Sequence, residues 1–284
     1  MNQPDNTLSL SLAGSKKTTR LTGFASYATI LGVALAAANG AYAQAVNGYA
    51  INPRVVNGNP GSTLTFTPPA INSNPATFTI RDEYTGAFSG ANRSDVLAST
   101  DGGATAHSFG IDDSFTFTTR LTLTDGFNSP RKEAGIRFNS PITGEMLFLV
   151  NSDAGEIVTF GGPFHLFGNN GGGNGYTPGT SILLGVRQIG GGDGVGGIAD
   201  TIEFFIDRGA GIVTTGPLAW SNAEGGPLNY TVAVYEQGGA NASGDFANAL
   251  FSNTTFTAVP EPGTFVLVGM GLMGAVALRR KRQP

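Results

Sequence analysis

The sequence predicts an all-β protein built as an antiparallel β-sandwich, and three observations support this prediction. Apolar and polar residues alternate with period two in many short segments, and turn residues separate these segments. Glycine accounts for 43 of the 284 residues, which is roughly twice its average share, while charged residues make up only 13 %. We also find no amphipathic helix of three turns in the sequence. These observations argue against a mostly helical protein.

The first 43 residues are typical of a secretory signal peptide. Three cations lie between residues 16 and 20, and an apolar stretch follows from Leu21 to Ala38. Ala41 and Ala43 then supply the small side chains that fit the site of a signal peptidase. We expect cleavage after Ala43, so that residues 1–43 are removed. An uncleaved membrane anchor is the alternative.

Ten strands are predicted in the passenger, residues 44–258. The longest alternates from Ser114 to Thr124 and stops at the turn residues Asp125 and Gly126. The others are Thr63–Thr67, Thr77–Ile80, Ala134–Phe138, Met146–Val150, Glu156–Phe160, Ile182–Ile189, Thr201–Asp207, Tyr230–Glu236 and Leu250–Thr257. The proline-rich stretch 45–75 predicts an irregular lead-in with one edge strand, and Ser94–Ser99 predicts a short helical turn. Two stacked sheets would bury the inner faces of these strands in one domain.

The C-terminal segment, residues 259–284, has three parts. Pro260, Glu261 and Pro262 precede fifteen uncharged residues, 264–278, and four cations follow: Arg279, Arg280, Lys281 and Arg282. As a helix, fifteen residues cover about 22 Å, which is short of the roughly 30 Å hydrocarbon core of a bilayer. We predict a short transmembrane helix whose basic end stays in the cytoplasm, with the passenger on the other side of the membrane.

This tail resembles the PEP-CTERM sorting signal of Gram-negative bacteria. The resemblance implies recognition by an exosortase, a membrane-embedded transpeptidase, and removal of the tail near Pro260, Glu261 and Pro262. It implies transient anchoring in the inner membrane, followed by release or attachment at the cell surface, in the setting of exopolysaccharide or biofilm production. An ordinary tail anchor, whose prolines form only a linker, is the alternative.

The order of strands between residues 114 and 207 resembles the concanavalin A-like or laminin G-like jelly-roll family. A long strand of alternating Phe and Thr is followed by Glu133–Phe138, by Met146–Val150 and, after further strands, by Ile202–Asp207. The resemblance implies a jelly roll. It does not imply one function, because this sandwich carries lectins, glycosidases and adhesion modules alike.

The charges of the passenger restrict its partners. Residues 44–258 contain nine Lys and Arg against eighteen Asp and Glu, a net charge of −9. Nucleic acid and anionic membrane surfaces are therefore poor partners. The chain has no cysteine, which excludes disulfides, thiolate metal sites and a thiol nucleophile.

Few residues suggest catalysis. Glu203 and Asp207 lie on one predicted strand, but about 13 Å apart, which is too far for the paired carboxyl groups of a glycosidase. His107 and His165 have no motif around them, and no Gly-x-Ser-x-Gly elbow accompanies either one. We therefore expect that the protein is not an enzyme.

Two binding sites are predicted. Asn151, Asp153 and Glu156 place oxygen atoms around Gly155, as in an incomplete calcium loop, and Asx-turn hydrogen bonding is the alternative. Trp220, the single tryptophan, is a candidate glycan contact if its side chain is exposed.

The sequence thus predicts a secreted protein, sorted by an exosortase, that is structural or carbohydrate-associating at the cell surface or in an exopolysaccharide matrix. Its expected partners are signal peptidase and exosortase during maturation and then exopolysaccharide, with calcium as the one candidate cofactor. A glycoside hydrolase acting on exopolysaccharide and a passive surface coat are the competing hypotheses.

Overall fold

The computed structural model describes residues 45–110, 113–140, 144–190, 201–219 and 229–258, and most of them lie in strands. Sheet A contains β1 (Gly48–Asn57), β4 (Phe88–Ser99), β5 (Phe109–Gly110), β7 (Lys132–Ser140), β8 (Gly144–Asn151), β9 (Ile157–Phe160), β10 (His165–Gly168) and β15 (Asn229–Ala240). Sheet B contains β2 (Thr63–Thr67), β3 (Ala76–Glu83), β6 (Phe115–Asp125), β11 (Ser181–Ile189), β12 (Thr201–Asp207), β13 (Ile212–Thr214), β14 (Leu218–Ala219) and β16 (Phe246–Ala258). The helical structure in these ranges is one 3₁₀ turn, Asn170–Gly172.

The paired strands of the described ranges are all antiparallel. Across sheet A the order is β1-β4-β15-β7-β8-β9-β10, with β5 also beside β15. Across sheet B the order is β13-β12-β11-β6-β16-β3-β2, with β14 also beside β12. Strands that are distant in sequence are thus neighbours, since β15 lies between β4 and β7. The predicted antiparallel β-sandwich is confirmed.

Alternation along the strands produces the core between the two sheets. In β6, Phe115, Phe117, Leu121 and Leu123 are buried, while most of the residues between them are partly exposed. Phe148 of sheet A packs edge-on against Phe204 of sheet B, with 5.3 Å between ring centroids. Each strand therefore turns its apolar side toward the opposite sheet.

The segment Ser94–Ser99 is not a helical turn, and that prediction is wrong. It lies in β4, between β1 and β15, where Val96 and Leu97 are both buried although they point to opposite faces. A strand that is covered on both faces loses its alternation, so the sequence did not identify it. The lead-in at 45–75 likewise holds two edge strands, β1 and β2, where one was predicted.

The predicted signal peptide and the C-terminal segment lie outside the described residues, as does the predicted transmembrane helix. Within the ranges that are described, no helix has the length and apolar character needed to cross a membrane.

One end of the space between the sheets is polar. Lys132 and Asp245 are fully buried there and form an ion pair of 2.6 Å that links β7 to the turn before β16. Glu236 of β15 is also fully buried, yet neither of its carboxylate oxygens has a hydrogen-bond partner in the described part of the chain. Burial, followed by the nearby charge of Asp82, raises the pKa of Glu236 well above 4.5. The buried carboxyl group therefore retains its proton to an unusually high pH.

Glu236→Gln should make the folded protein less sensitive to alkaline pH. A carboxyl group whose pKa is raised on folding binds its proton more tightly in the native state, so it destabilises the fold progressively as pH rises above 4.5. The advantage of the variant should grow by up to about 1.4 kcal/mol per pH unit until the folded-state pKa is passed. Thermal unfolding of both proteins between pH 5 and 8 measures this difference, with Glu83→Gln on the exposed side of β3 as the control. A constant difference across this range would contradict the prediction.

Candidate functional site

The side of sheet A that faces away from sheet B carries a row of polar and charged side chains. In β7, Ala134 and Ile136 point into the core, so Glu133 and Arg137 point the other way. Cross-strand pairing places further residues of β4, β8 and β15 beside these two. We call this surface the polar face, and its members are Arg93, Asp95, Glu133, Arg137, Asn139, Glu145, Tyr235 and Gln237.

Arg93 of β4 contacts side chains of its neighbour β15 and of β8, which lies two strands further across sheet A. Its Nε donates to Oε1 of Gln237 at 2.6 Å, and its Nη1 donates to Oε2 of Glu145 at 2.5 Å. The guanidinium carbon also lies 5.7 Å from the centre of the Tyr235 ring, a cation–π distance. Arg93 is therefore held in one orientation.

Arg137 of β7 lies between two carboxylates. Its Nη1 donates to Oδ2 of Asp95 at 2.5 Å, and its Nε donates to Oε2 of Glu145 at 3.0 Å. Its Nη2 donates to Oδ1 of Asn139 at 2.9 Å. Glu145 thus receives hydrogen bonds from two arginines, and it is the most exposed of these charged groups, with 38 % of its side chain accessible.

The two acids bound to Arg137 have opposite pKa shifts. Burial raises the pKa of Asp95 above 3.8, and the charge of Arg137 only partly opposes this effect. Burial also acts to raise the pKa of Glu145, but the hydrogen bonds from Arg93 and Arg137 outweigh it, so the pKa falls below 4.5. Glu145 is therefore a stable carboxylate at neutral pH.

A pocket of about 180 Å³ lies at one end of the polar face, where Arg131, Glu133 and Gln237 line it together with backbone of β4 and β15. Nε2 of Gln237 donates to Glu133 at 3.2 Å, and the Tyr235 hydroxyl donates to the same carboxylate at 3.3 Å. Arg131 donates to Glu133 at 3.1 Å from the loop before β7. Burial raises the pKa of Glu133 above 4.5, against the opposing charge of Arg131.

A small apolar cluster lies beside the charged groups on the same outward side of sheet A. Leu149 of β8, Val158 of β9 and Tyr235 of β15 are buried against one another, and Leu147 packs on them. Gly135 lies between Glu133 and Arg137, and a Cβ there would be 2.1 Å from the carbonyl oxygen of Phe148. Close packing of β7 on β8 thus requires glycine at this position.

The predicted calcium ligands lie in a turn after β8. Oδ1 of Asn151 accepts from the backbone nitrogens of Ala154 and Glu156, as in an Asx turn. The Glu156 carboxylate accepts from Asn151 at 2.6 Å and pairs with Arg131 at 3.2 Å, while Asp153 accepts from the backbone nitrogen of Ala154. No group of three or more metal-binding side chains occurs in the part of the chain that the structure describes. Calcium at these residues stays a prediction.

The acids considered for catalysis lie on the opposite side of the sandwich. Glu203 and Asp207 point away from the core on β12 of sheet B. Glu203 pairs with Arg187 at 3.2 Å, and Oδ1 of Asp207 accepts from the backbone nitrogen of Gly209 at 2.6 Å. Both side chains thus form an ion pair or a hydrogen bond with nearby residues of sheet B and its turns.

The two histidines have aromatic neighbours and do not approach each other in the fold. His107 lies 4.5 Å from the ring of Phe109, before β5, and His165 lies 4.5 Å from the ring of Phe167, on β10. Trp220 lies outside the described residues, as do Ala41, Ala43, the sorting motif Pro260-Glu261-Pro262 and the basic cluster 279–282.

Sequence reasoning missed the arginines of the polar face. Arg93, Arg137 and Glu145 come from three strands, and their meeting depends on β15 inserting between β4 and β7. A usable signal was present, because charged residues at alternate positions of apolar strands, such as Glu133 and Arg137, mark a face that does not pack in the core.

Residues 258–282 match the PEP-CTERM protein-sorting motif. The chain therefore carries the sorting signal of an exosortase substrate, as its tail predicted. The motif implies export, exosortase-mediated processing at the membrane and then a location at the cell surface. Comparison with curated proteins gives no match.

Several solved structures are similar to the sandwich. An alginate lyase from Corynebacterium sp. is 13 % identical, with a TM-score of 0.46 over 74 % of this chain and 95 % of that chain. The carbohydrate-binding module CBM66 from Bacillus subtilis is 16 % identical, with a TM-score of 0.38 over 76 % and 99 %. The PL-14 alginate lyase from Aplysia kurodai is 10 % identical, with a TM-score of 0.44 over 76 % and 100 %. At these values the likeness by itself assigns no activity or ligand to this chain.

The prediction that this chain is not an enzyme is contradicted by the comparison. Two of the similar structures are alginate lyases, and the expectation therefore does not stand. None of these three structures is named as concanavalin A-like or laminin G-like, and that finer resemblance stays a prediction.

Arg137→Gln should strongly destabilise the fold. Asp95 is fully buried and would lose the cation that compensates its charge, a change that typically costs about 3–5 kcal/mol. Chemical denaturation measures the free energy of unfolding. Arg187→Gln, which breaks the exposed pair with Glu203, should cost at most about 1 kcal/mol. The double variant Asp95→Asn with Arg137→Gln should recover part of the loss, and failure to recover any of it would contradict this explanation.

Proposed function

We propose that the passenger binds a polysaccharide along the polar face of sheet A, at the cell surface or in the extracellular matrix. The observation that carries this proposal is the row of planar hydrogen-bonding groups on adjacent strands. Arg, Gln, Asn and carboxylate side chains are the groups that fix polar ligands in binding sites, where they form paired hydrogen bonds. Neighbouring hydroxyls on a sugar ring suit such pairs.

The scaffold suits an extended ligand. The side chains of the polar face project from the paired strands β4, β15, β7 and β8, so the backbone fixes their spacing before any ligand arrives. Contacts among Arg93, Arg137 and Glu145 also fix their rotamers. A preorganised surface loses little side-chain entropy when it binds.

The pocket at the end of the polar face suits one ring or the end of a polymer. Its volume of about 180 Å³ is below the roughly 300–1,000 Å³ of pockets for drug-sized ligands. Arg131 is 35 % exposed there and offers donors, while Glu133 and Gln237 offer acceptors. A chain lying on the polar face would have one sugar in this pocket.

Cleavage of the bound polysaccharide is the second candidate function. Asp95 and Glu145 bind the same guanidinium group, which keeps the two carboxyl groups within the 10 Å range found in glycosidases. Asp95 is fully buried, so of these two acids Glu145, with 38 % of its side chain accessible, is the one that can reach a bound sugar, as nucleophile or base.

The processed protein should bind exopolysaccharide from cells that export it, and Arg131→Ala should weaken this binding about tenfold. The reason is the loss of a charged donor from the pocket, a contact that contributes about 1.5–3 kcal/mol. Isothermal titration with and without calcium measures the affinity, and Arg187→Ala on sheet B is the matched control. The same samples are assayed for new reducing ends and for unsaturated sugar ends, which would reveal hydrolase or lyase activity. If the protein binds no exopolysaccharide, the passive surface coat is the hypothesis that remains.

The double variant Pro260→Ala with Glu261→Ala should accumulate in the inner membrane with its tail intact. We expect exosortase recognition to depend on this part of the matched segment, and the wild-type chain should lose the residues beyond it. Membrane fractionation and mass spectrometry report the location and mass of each form. Gln283→Ala, one residue beyond the matched segment, should be processed normally. If the double variant is processed to the same extent as the wild-type chain, the segment acts as an ordinary membrane anchor.

A further inference from the structure

The arginines of the polar face are neutralised by carboxylates of the same protein. Arg93 binds Glu145 through two nitrogens, at 2.5 and 3.3 Å. Arg137 binds Glu145 at 3.0 Å and Asp95 at 2.5 Å. No guanidinium of the polar face is therefore left without an anionic partner in the described chain.

The pocket at the end of the polar face is neutralised in the same way. Arg131 pairs with Glu133 at 3.1 Å and with Glu156 at 3.2 Å. Three arginines thus share four carboxylates across the polar face and its pocket. The passenger as a whole has a net charge of −9 over residues 44–258. An anionic polymer would meet both local and long-range repulsion.

Glu145 occupies the position that an anionic ligand would need. Two guanidinium groups, from Arg93 and Arg137, converge on its carboxylate, and such a fork is the arrangement that binds carboxylate groups best. The hydrogen bonds from these arginines lower the pKa of Glu145, so it does not leave the fork by protonation at neutral pH. A sugar carboxylate would have to displace it.

The side chains of the polar face that can still form hydrogen bonds do so mainly as acceptors. A carboxylate accepts up to about four hydrogen bonds, and the exposed Glu145 side chain has room for more than its arginines provide. Sugar hydroxyl groups donate hydrogen bonds, whereas a sugar carboxylate cannot.

We infer that the polar face is selective for a neutral polysaccharide and rejects uronic-acid polymers, with Glu145 as the specificity-determining residue. The inference rests on the proposed polysaccharide binding and adds the chemical class of the ligand. Rejection follows from an anion already bound in the arginine fork, since discrimination is achieved by a repulsive group as well as by attractive ones.

The first test separates exopolysaccharide of the exporting cells into neutral and acidic fractions by anion exchange. The processed protein should bind the neutral fraction, with an affinity that changes little between 50 and 500 mM salt, and should bind the acidic fraction at least about tenfold more weakly. If the protein binds the acidic fraction more tightly than the neutral one, and salt weakens this binding, the inference is wrong. The proposed binding of a polysaccharide would still hold. Binding to neither fraction would contradict both the inference and the proposed function.

The second test uses Glu145→Gln with Glu203→Gln as its matched control, because both changes remove one negative charge from an arginine pair. Glu145→Gln removes the negative charge that Arg93 and Arg137 share and leaves a neutral amide that an anion can displace, so the variant should gain about tenfold or more in affinity for alginate at low salt. The gain should disappear at high salt. Glu203→Gln should gain nothing. An equal gain in both variants, or no gain in Glu145→Gln with an unchanged circular dichroism spectrum, would contradict the role of Glu145.

Discussion

The packing of sheet A against sheet B fixes which side chains are buried and which face outward. Each strand has one apolar side, and contacts such as that between Phe148 and Phe204 join these sides across the sandwich. Because the core takes every second residue, the residues between must point outward. The polar face exists because β4, β7, β8 and β15 use their remaining positions for charged and amide side chains.

The outward side of sheet A differs from the outward side of sheet B in how its charges are arranged. On sheet B, Glu203 and Arg187 form a single exposed pair, typical of a solvated surface. On sheet A, Arg93, Arg137 and Glu145 share hydrogen bonds, and Asp95 is fully buried beside them. Burying charges costs solvation energy, so a cluster of this kind favours a function over a contribution to stability.

The sorting signal and the polar face are separate parts of the sequence. The motif at residues 258–282 implies processing by exosortase at the membrane. The strands that carry the polar face end at Ala240, before the motif begins. Substitutions in one part therefore leave the residues of the other part unchanged.

The sorting tail, the β class and most of the strands could be predicted from the sequence alone, because these are local properties. The long strand now seen as β6 is an example, since its alternation of Phe and Thr is visible in eleven consecutive residues. That Ser94–Ser99 is a strand could be seen only in the folded chain, since both of its faces are covered by other parts of the chain. The meeting of Arg93, Arg137 and Glu145 likewise depends on the fold, since strand order places β15 between strands that are more than thirty residues apart. Pairing between distant strands follows from global packing, which a local pattern does not encode.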